Sequence, residues 1–314
     1  MKRKAVIISL SGTKLTKIEK ELIRKQKPWG VILFKRNITS LNQIKKLTQN
    51  IRSTIKDNKY PILIDEEGGD VTRLTNLIQN RYSQKFFGDL YRKDKKLTFV
   101  LYKKYLLSII EILKKIKINI NTVPVLDLLS KKSHNIIKNR CYSDKIKIVN
   151  HMGNFCLNIY KKNKISTVIK HIPGHGGARS DSHKSLPIIN KNLNNLIKKD
   201  FRCFKNKNSF FAMTAHILYK KLDKKNCVTH SKKIINEIIR KKIGFKGLLI
   251  SDDISMKALK FDIITNAKKS LKAGCNLVLY CSGNSKVSTK LLKNIPLIDK
   301  FTQKKTSQFY KFLG

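Results

Sequence analysis

Residues 166–183 read STVIKHIPGHGGARSDSH, and this segment shows the pattern on which the fold assignment rests. Its first part is rich in β-branched and apolar residues and predicts a buried strand, whereas its second part crowds turn-forming residues, histidines and an aspartate together. The same order recurs where PILID (61–65) precedes EEGGDVTRL and where GLLIS (247–251) precedes DDISM. In each case the polar cluster follows the C-terminal end of a strand, which is where barrel enzymes build active sites from βα loops.

Eight strand-like runs occur along the chain, and longer stretches with helical periodicity separate them. The runs are residues 5–10, 30–34, 61–65, 120–126, 166–171, 210–216, 247–253 and 276–280. The predicted helices are 15–26, 40–56, 97–117, 144–163, 192–206, 231–242 and 264–273, with more helix near 286–292 and 299–312. Apolar strands alternating with helices indicate a parallel sheet covered on both faces, so the prediction is an α/β fold, a (β/α)8 TIM barrel. A doubly wound open sheet is the alternative. No linker or repeat divides the chain, so residues 1–314 are predicted to form a single domain.

The composition combines a large positive charge with enough apolar residues for a core. The formal net charge is +48 at pH 7 and 41% of the residues are hydrophobic, which excludes a disordered chain. So much positive charge suits nucleic acid, an anionic membrane surface or an acidic substrate as partner. Lysine is nevertheless spread along the chain with Asn and Ile, and all three have A/T-rich codons, so codon bias accounts for the charge without a specific nucleic-acid partner. A basic nucleic-acid-binding protein remains the alternative from another class.

The cysteines and the apolar runs bear on the compartment. Six cysteines occur without CxxC spacing, which favours reduced, structural thiols. The apolar run at 5–10 is shorter than the core of a signal peptide, and the run at 105–113 is interrupted by Glu111 and too short to span a bilayer. We therefore expect a cytoplasmic protein with no membrane span.

The histidine-rich turn admits two interpretations. His171, His175 and His183 with Asp181 resemble a set of metal ligands, although Pro173 and the neighbouring glycines disfavour the helix that HxxxH spacing requires. Alternatively the segment is a catalytic loop in which Asp181 fixes the tautomer of His183 and the pair exchanges protons near neutrality. A structural role for His183 in a turn also stays open.

Two acidic segments supply further candidates. Asp252 and Asp253 end a predicted strand, and because adjacent side chains on a strand point to opposite faces, we expect one to face the site and the other to form local hydrogen bonds. Spacing alone does not decide whether such a carboxylate is a metal ligand, a base or a nucleophile.

The segment DEEGGDVTRL (65–74) joins acids, a Gly-Gly turn and Arg73 without a phosphate-binding motif. Carboxylates beside an arginine suit a neutral polyol, whose hydroxyl groups need both acceptors and donors. Arg140 and Lys170 add donors at the ends of other barrel units, although isolated cations in so basic a chain are more often solvated surface charges.

Together these segments resemble glycoside hydrolase family 3, specifically its single-domain bacterial β-N-acetylhexosaminidases of peptidoglycan recycling. KHIPGHGGARSDSH (170–183) is similar to the family's KHFPGHG and DSH motifs, including their interval. IDEEGGDVTRL (64–74) is similar to DQEGGxVxR, and GFKGLLISDDISMKAL (244–259) to GFxGVIxSDDLSM. Weaker similarities are VPVLDL (123–128), MTAHILY (213–219) and AGCNLVLYC (273–281), so the resemblance spans about residues 28–283 in the family's order.

The resemblance implies a retaining hydrolase that releases terminal β-linked N-acetylglucosamine from GlcNAc-anhydroMurNAc and its peptides. It implies that Asp252 is the nucleophile and that His183, with Asp181 as its partner, is the acid/base; two-carboxylate glycosidases use an Asp/Glu pair for this work. The substrate-binding residues it implies are Asp65, Arg73, Arg140, Lys170 and His171. It implies a carbohydrate substrate, no metal and no organic cofactor, and we expect a monomer. A phosphorylase or transglycosidase of the same family is the alternative, because a neutral histidine does not repel phosphate.

The chain departs from the family pattern at two places. Asp70 stands where the family usually has Arg, and NRCY (139–142) stands where it has Glu-Arg-Ser-Tyr. Both departures concern fine contacts to the substrate and leave the expected nucleophile and dyad in place.

Overall fold

Eight parallel strands close into a barrel in the computed structural model, which describes residues 2–130, 133, 135–178 and 185–314. The strands of the described ranges are β1 (Lys4–Ser9), β2 (Pro28–Leu33), β3 (Ile62–Ile64), β4 (Ile120–Asn121), β5 (Ser166–Ile172), β6 (Ile188–Ile189), β7 (Phe211–Thr214), β8 (Leu218–Tyr219), β9 (Leu248–Asp253) and β10 (Leu277–Tyr280). Around the barrel the order is β1, β2, β3, β4, β5, β7, β9, β10 and back to β1. The predicted (β/α)8 barrel is confirmed, and the open-sheet alternative is wrong because β1 pairs with β10 through Val6–Val278 and Ile7–Leu279.

Helices follow most of the strands and cover the outside of the barrel. The helices of the described ranges are α1 (Lys17–Glu21), α2 (Leu41–Ile55), α3 (Gln84–Lys93), α4 (Lys95–Lys115), α5 (Asn135–Lys138), α6 (Ile146–Lys162), α7 (Leu193–Lys198), α8 (Ile263–Ala273), α9 (Ser285–Asn294) and α10 (Lys300–Leu313). Leu22–Gln26 and Ile234–Lys242 are π-helical, and short 3₁₀ turns lie at Lys35–Asn37, Asp200–Phe204 and Val228–His230. Side chains of Ser, Thr, Asp or Asn cap several helices, such as Ser40 before α2 and Asp94 before α4, because they accept otherwise unpaired backbone N–H groups.

The amino-terminal end of the barrel is closed by aromatic packing. Trp29 in β2 is fully buried, contacts the ring of Phe211 with centroids 5.4 Å apart, and donates its indole N–H to Thr306 of α10 at 2.9 Å. Phe309 of α10 packs against Phe211 on the same side, with ring centroids 5.3 Å apart. Because this end of the barrel is filled by apolar side chains, a polar site is expected at the other end, where the strands have their carboxyl ends.

The structure differs from the sequence-based prediction in several elements. The run 120–126 forms only the two-residue strand β4, because Pro124 has no N–H for a β-ladder. Helices α3 and α5 were not predicted, and the predicted helix 192–206 is divided into α7 and the 3₁₀ turn at Asp200–Phe204. The short strands β6 and β8 pair with each other outside the barrel, a contact that no sequence pattern indicated. No helix within the described ranges has the length and apolar character needed to cross a membrane.

Candidate active site

A cavity of about 370 Å³ opens at the carboxyl end of the barrel. It is lined by six of the predicted site residues, namely Asp65, Arg73, Arg140, Lys170, His171 and Asp252. The other two, Asp181 and His183, lie outside the described residues. The barrel thus brings together side chains from β5, β9 and the segments that follow β3 and β4, although they are far apart in sequence.

Asp65, at the end of β3, holds two cations in the cavity. The Nζ atom of Lys170 lies 2.5 Å from Oδ1 of Asp65, and Nη2 of Arg73 lies 2.7 Å from Oδ2. Burial by itself would raise the pKa of Asp65, but the attraction of Lys170 and Arg73 outweighs burial and holds that pKa well below its usual range. Asp65 is therefore ionised at neutral pH.

Glu67 completes this charge network from beneath the cavity. Its carboxylate accepts two hydrogen bonds from the guanidinium of Arg140, both 2.8 Å, and lies 2.5 Å from Nζ of Lys170. Burial would raise the pKa of Glu67 and lower that of Arg140, but their mutual attraction reverses both directions. Our site prediction omitted Glu67. Two buried cations need more negative charge than Asp65 alone supplies. This need was the signal that could have identified Glu67.

Asp127 anchors the histidine-rich turn. This fully buried carboxylate accepts the backbone N–H of His175 at 2.6 Å and lies 2.7 Å from Nδ1 of His171. Nε2 of His171 faces Nη2 of Arg140 at 3.3 Å, so the ring is fixed on both sides. Burial lowers the pKa of His175 to about 4, which makes this histidine neutral at pH 7. Asp127 lies in the weakly similar VPVLDL segment and was not among the predicted site residues.

Asp252 and Asp253 differ in their partners at the end of β9. Asp253 accepts hydrogen bonds from the hydroxyl of Ser255 at 2.6 Å and from the N–H of Cys281 at 3.2 Å, which matches the expected local role. Both carboxylates line the cavity, although we expected the alternation of side chains along the strand to point only one of them toward it. The reason is that β9 ends here and its last residues border the same opening.

The two carboxylates also differ in acidity. Burial would raise the pKa of Asp252, but His216, His171 and the N–H of Asp253 together lower it, whereas burial raises the pKa of Asp253. Within the described ranges, the salt bridges of the cavity involve Asp65, Glu67 and Asp127, and none involves Asp252. Asp252 is thus an ionised carboxylate that offers its charge to a ligand.

His216 supports this end of β9 from below. It is fully buried, its Nδ1 lies 2.7 Å from the hydroxyl of Thr229, and its Nε2 lies 3.0 Å from the carbonyl oxygen of Asp253. A carbonyl oxygen only accepts, so Nε2 carries the proton and Nδ1 accepts from Thr229. The segment MTAHILY contained this residue, but nothing in its spacing identified a contact with Asp253.

The metal interpretation involves His171 and His175 together with Asp181 and His183, and the last two lie outside the described residues. Among the residues that the structure describes, no group of three or more His, Cys, Asp or Glu side chains is arranged to hold a metal ion. His171 is instead committed to Asp127 through its ring. The cavity combines the carboxylates Asp65 and Asp252 with cationic donors, which is the set of groups that a polyhydroxylated ligand requires.

The chain is similar to known proteins over most of its length. The family model described as glycosyl hydrolase family 3 N terminal domain matches residues 3–306. A protein of Psychromonas ingrahamii named β-hexosaminidase is 30% identical over 97% of this chain and 88% of its own length. A β-hexosaminidase of Haemophilus influenzae strain PittEE is 31% identical over 93% of this chain and 85% of its own.

Solved structures show the same similarity. The structure of NagZ from Neisseria gonorrhoeae in complex with N-trifluoroacetyl-D-glucosamine superimposes with a TM-score of 0.87 at 26% identity, and the match covers all of this chain and 90% of that one. The native form of the same protein gives a TM-score of 0.88. The family match over nearly the whole length, together with the barrel and its cavity, means that this chain belongs to glycosyl hydrolase family 3 and is a glycosidase.

Proposed function

We propose that this glycosidase is a β-N-acetylhexosaminidase that hydrolyses terminal β-linked N-acetylglucosamine from peptidoglycan fragments, GlcNAc-anhydroMurNAc and its peptides. The observation that carries the proposal is the position of Asp252, an ionised carboxylate without a salt bridge among the described residues, opposite the network of Asp65, Lys170 and Arg140. The names of the curated relatives, and the N-acylated glucosamine bound to the gonococcal protein, support the hexosamine specificity.

In the first step, Asp252 attacks the anomeric carbon while the bond from that carbon to the leaving oxygen breaks. His183, held in its cationic form by Asp181, donates a proton to the leaving oxygen and becomes neutral. In the second step, His183 takes a proton from water, the water oxygen bonds to the anomeric carbon, and Asp252 leaves. Two displacements at one carbon retain the β configuration. The low pKa of Asp252 suits a nucleophile, since it must be ionised when the substrate arrives.

The remaining side chains of the cavity bind the sugar in this proposal. Asp65, Arg73, Arg140, Lys170 and His171 contact its hydroxyl and acetamido groups, whereas Glu67 and Asp127 position those residues from below. The proposal further holds that residues 1–314 form a single catalytic domain that acts as a monomer in the cytoplasm.

The first test is release of p-nitrophenol from its β-N-acetylglucosaminide by the parent protein and by Asp252→Asn. We expect the substitution to lower kcat at least about a thousandfold, as loss of a covalent catalyst does in other hydrolases. Asp89→Asn is the matched control, because Asp89 lies on α3 and pairs with Lys85 outside the cavity. Full activity of Asp252→Asn would remove this residue from the mechanism.

The acid/base assignment has a separate readout. In His183→Ala, p-nitrophenol leaves without much help from an acid, whereas the water step still needs a base, so the glycosylated protein accumulates. Mass spectrometry of the quenched reaction should then find one N-acetylglucosamine residue on the peptide that contains Asp252. Product analysis with and without phosphate distinguishes hydrolysis from the phosphorylase alternative, because phosphorolysis yields the sugar 1-phosphate.

A further inference from the structure

The mouth of the cavity carries a hydrogen-bonded pair that the proposed mechanism does not use. Asp70 lines the cavity and is exposed, and its Oδ2 accepts a hydrogen bond of 3.0 Å from Nδ2 of Asn139, which is also exposed. We propose that Asp70 recognises the leaving-group sugar and favours units that present an ammonium or a hydroxyl group over units that present a carboxylate. This inference rests on the proposed hydrolase function and narrows its substrates. GlcNAc-anhydroMurNAc carries a free lactyl carboxylate, whereas its peptides hold that carboxyl group in an amide bond, so the peptides should be the better substrates.

The turn that carries Asp70 is held in one conformation. The N–H groups of Glu67 and Gly68 both donate to the carbonyl oxygen of Val71, at 2.9 and 3.1 Å. Gly68 has a φ of +91°, and a Cβ atom there would lie 2.3 Å from the hydroxyl of Tyr105. The turn is therefore packed tightly against its surroundings, so the Asp70 carboxylate is presented from a fixed backbone.

Asn139 is fixed by two neighbours of its own. Its carbonyl oxygen accepts the N–H of Lys85 at 3.2 Å, and the next residue, Arg140, makes its two 2.8 Å hydrogen bonds to Glu67. Glu67 thus links the two segments that border the opening of the cavity, because its backbone belongs to the turn of Asp70 and its side chain binds Arg140, the residue after Asn139. A ligand meets a carboxylate and an amide whose positions are set before it binds.

The charge of Asp70 is available to a ligand. The cations of the cavity are engaged deeper, Arg73 with Asp65, and Arg140 and Lys170 with Glu67. No salt bridge found within the described ranges includes Asp70, although the chain as a whole carries a formal charge of +48. A carboxylate attracts an ammonium, accepts hydrogen bonds from hydroxyl groups and repels another carboxylate.

The size of the cavity places the leaving group at this mouth. At about 370 Å³ the cavity is near the lower end of the range of about 300–1,000 Å³ typical of small-molecule sites. In the proposed mechanism one sugar ring binds between Asp65 and Asp252, in the deeper part of this cavity. The sugar on the other side of the cleaved bond must then lie outward, where the exposed Asp70 borders the opening.

The test compares kcat/KM for three β-1,4-linked disaccharides with the same N-acetylglucosamine at the cleaved end. The leaving sugar is N-acetylglucosamine, glucosamine with a free ammonium, or N-acetylmuramic acid with its lactyl carboxylate. We expect Asp70→Asn to lower the kcat/KM of the ammonium substrate, relative to that of the neutral substrate, about fivefold. We expect it to raise the kcat/KM of the carboxylate substrate, relative to that of the neutral substrate, by a similar factor. A factor of this size corresponds to one partly exposed charge pair. Because each ratio is compared between proteins, the differing chemical reactivity of the leaving groups cancels.

The control and the outcomes separate this inference from the function on which it rests. Glu111→Gln removes the same charge from an exposed site on α4, outside the cavity, and should leave both ratios as in the parent. If the parent cleaves the disaccharides and Asp70→Asn gives the parent's ratios, the role of Asp70 is overturned and the hydrolase stands. If the folded parent cleaves none of them, the proposed function itself fails. Added salt should reduce the parent's preference, since it screens exposed charges over about 8–10 Å.

Discussion

At the residue scale, the cavity depends on carboxylates that are buried together with the groups they hold. Glu67 holds Arg140 and Lys170, and Asp127 holds both ends of the turn from His171 to His175. Removing such an acid leaves its partners buried without a counter-charge, which costs more than the pair contributes. These two acids thus determine the position of side chains that contact a ligand.

Glu67→Gln tests this dependence. A neutral amide keeps the shape of the side chain but leaves Arg140 and Lys170 with Asp65 as the shared counter-charge, so we expect the free energy of unfolding to fall by about 3 kcal/mol. We also expect KM to rise, because both cations lose their fixed positions. Urea denaturation and steady-state kinetics measure the two effects. An unchanged KM with lower stability would limit Glu67 to a structural role.

At the scale of elements, the barrel positions its loops by close contacts between helices and the segments after strands. Helix α3 begins at the Ser83 cap and packs Gly88 against the backbone of Tyr142, two residues after Arg140. A Cβ atom at position 88 would lie 1.7 Å from the carbonyl oxygen of Tyr142. A glycine in mid-helix lowers helix propensity, which explains why the sequence pattern did not predict α3 although the packing requires that glycine.

Gly88→Ala should therefore destabilise the protein although alanine favours helices. Since the contact is with backbone, α3 or the segment around Tyr142 must move, and we expect a loss of about 2–3 kcal/mol, as for other overpacked sites. Gly12→Ala is the matched control, because no heavy atom lies within 4 Å of a Cβ built there. Equal thermal midpoints for the two variants would contradict the close packing of α3.

At the scale of the whole molecule, a strongly basic chain folds around a cavity at which acidic residues are concentrated. Lys and Arg number 68 against 20 Asp and Glu, yet the loop after β3 alone contributes Asp65, Glu66, Glu67 and Asp70. The positive charge is spread over the surface rather than gathered at the cavity. This charge attracts polyanions over a long range, but the sequence shows no motif that would recognise a specific nucleic-acid sequence.

Binding to a non-specific DNA duplex should consequently be weak and sensitive to salt. We expect the association constant to fall at least about a hundredfold between 50 and 200 mM salt, as phosphate contacts by lysine and arginine predict. Filter binding or fluorescence anisotropy measures it, with p-nitrophenyl glycoside hydrolysis followed in the same buffers. Sequence-selective binding that persists at 200 mM salt would instead favour the nucleic-acid-binding alternative.

The sequence alone determined the barrel and most of the cavity. Continuous apolar runs separated by helical stretches predicted all eight barrel strands, because a strand that is buried on both faces of the sheet is apolar along its length. Polar clusters after those runs predicted that Asp65, Arg73, His171 and Asp252 lie near one opening, since the carboxyl ends of parallel strands meet there. The resemblance to the family added Arg140 and Lys170, which line the same cavity.

Only the tertiary structure decided which acids hold which partners. The sequence contains Glu67 and Asp127, but no pattern in it identified their roles. Glu67 contacts Arg140, 73 residues further along the chain, and Asp127 contacts His171, 44 residues further along. Asp70 and Asn139, 69 residues apart, meet for the same reason. Strand order and the closed barrel fix these distances, and no local periodicity encodes a contact between side chains on different strands.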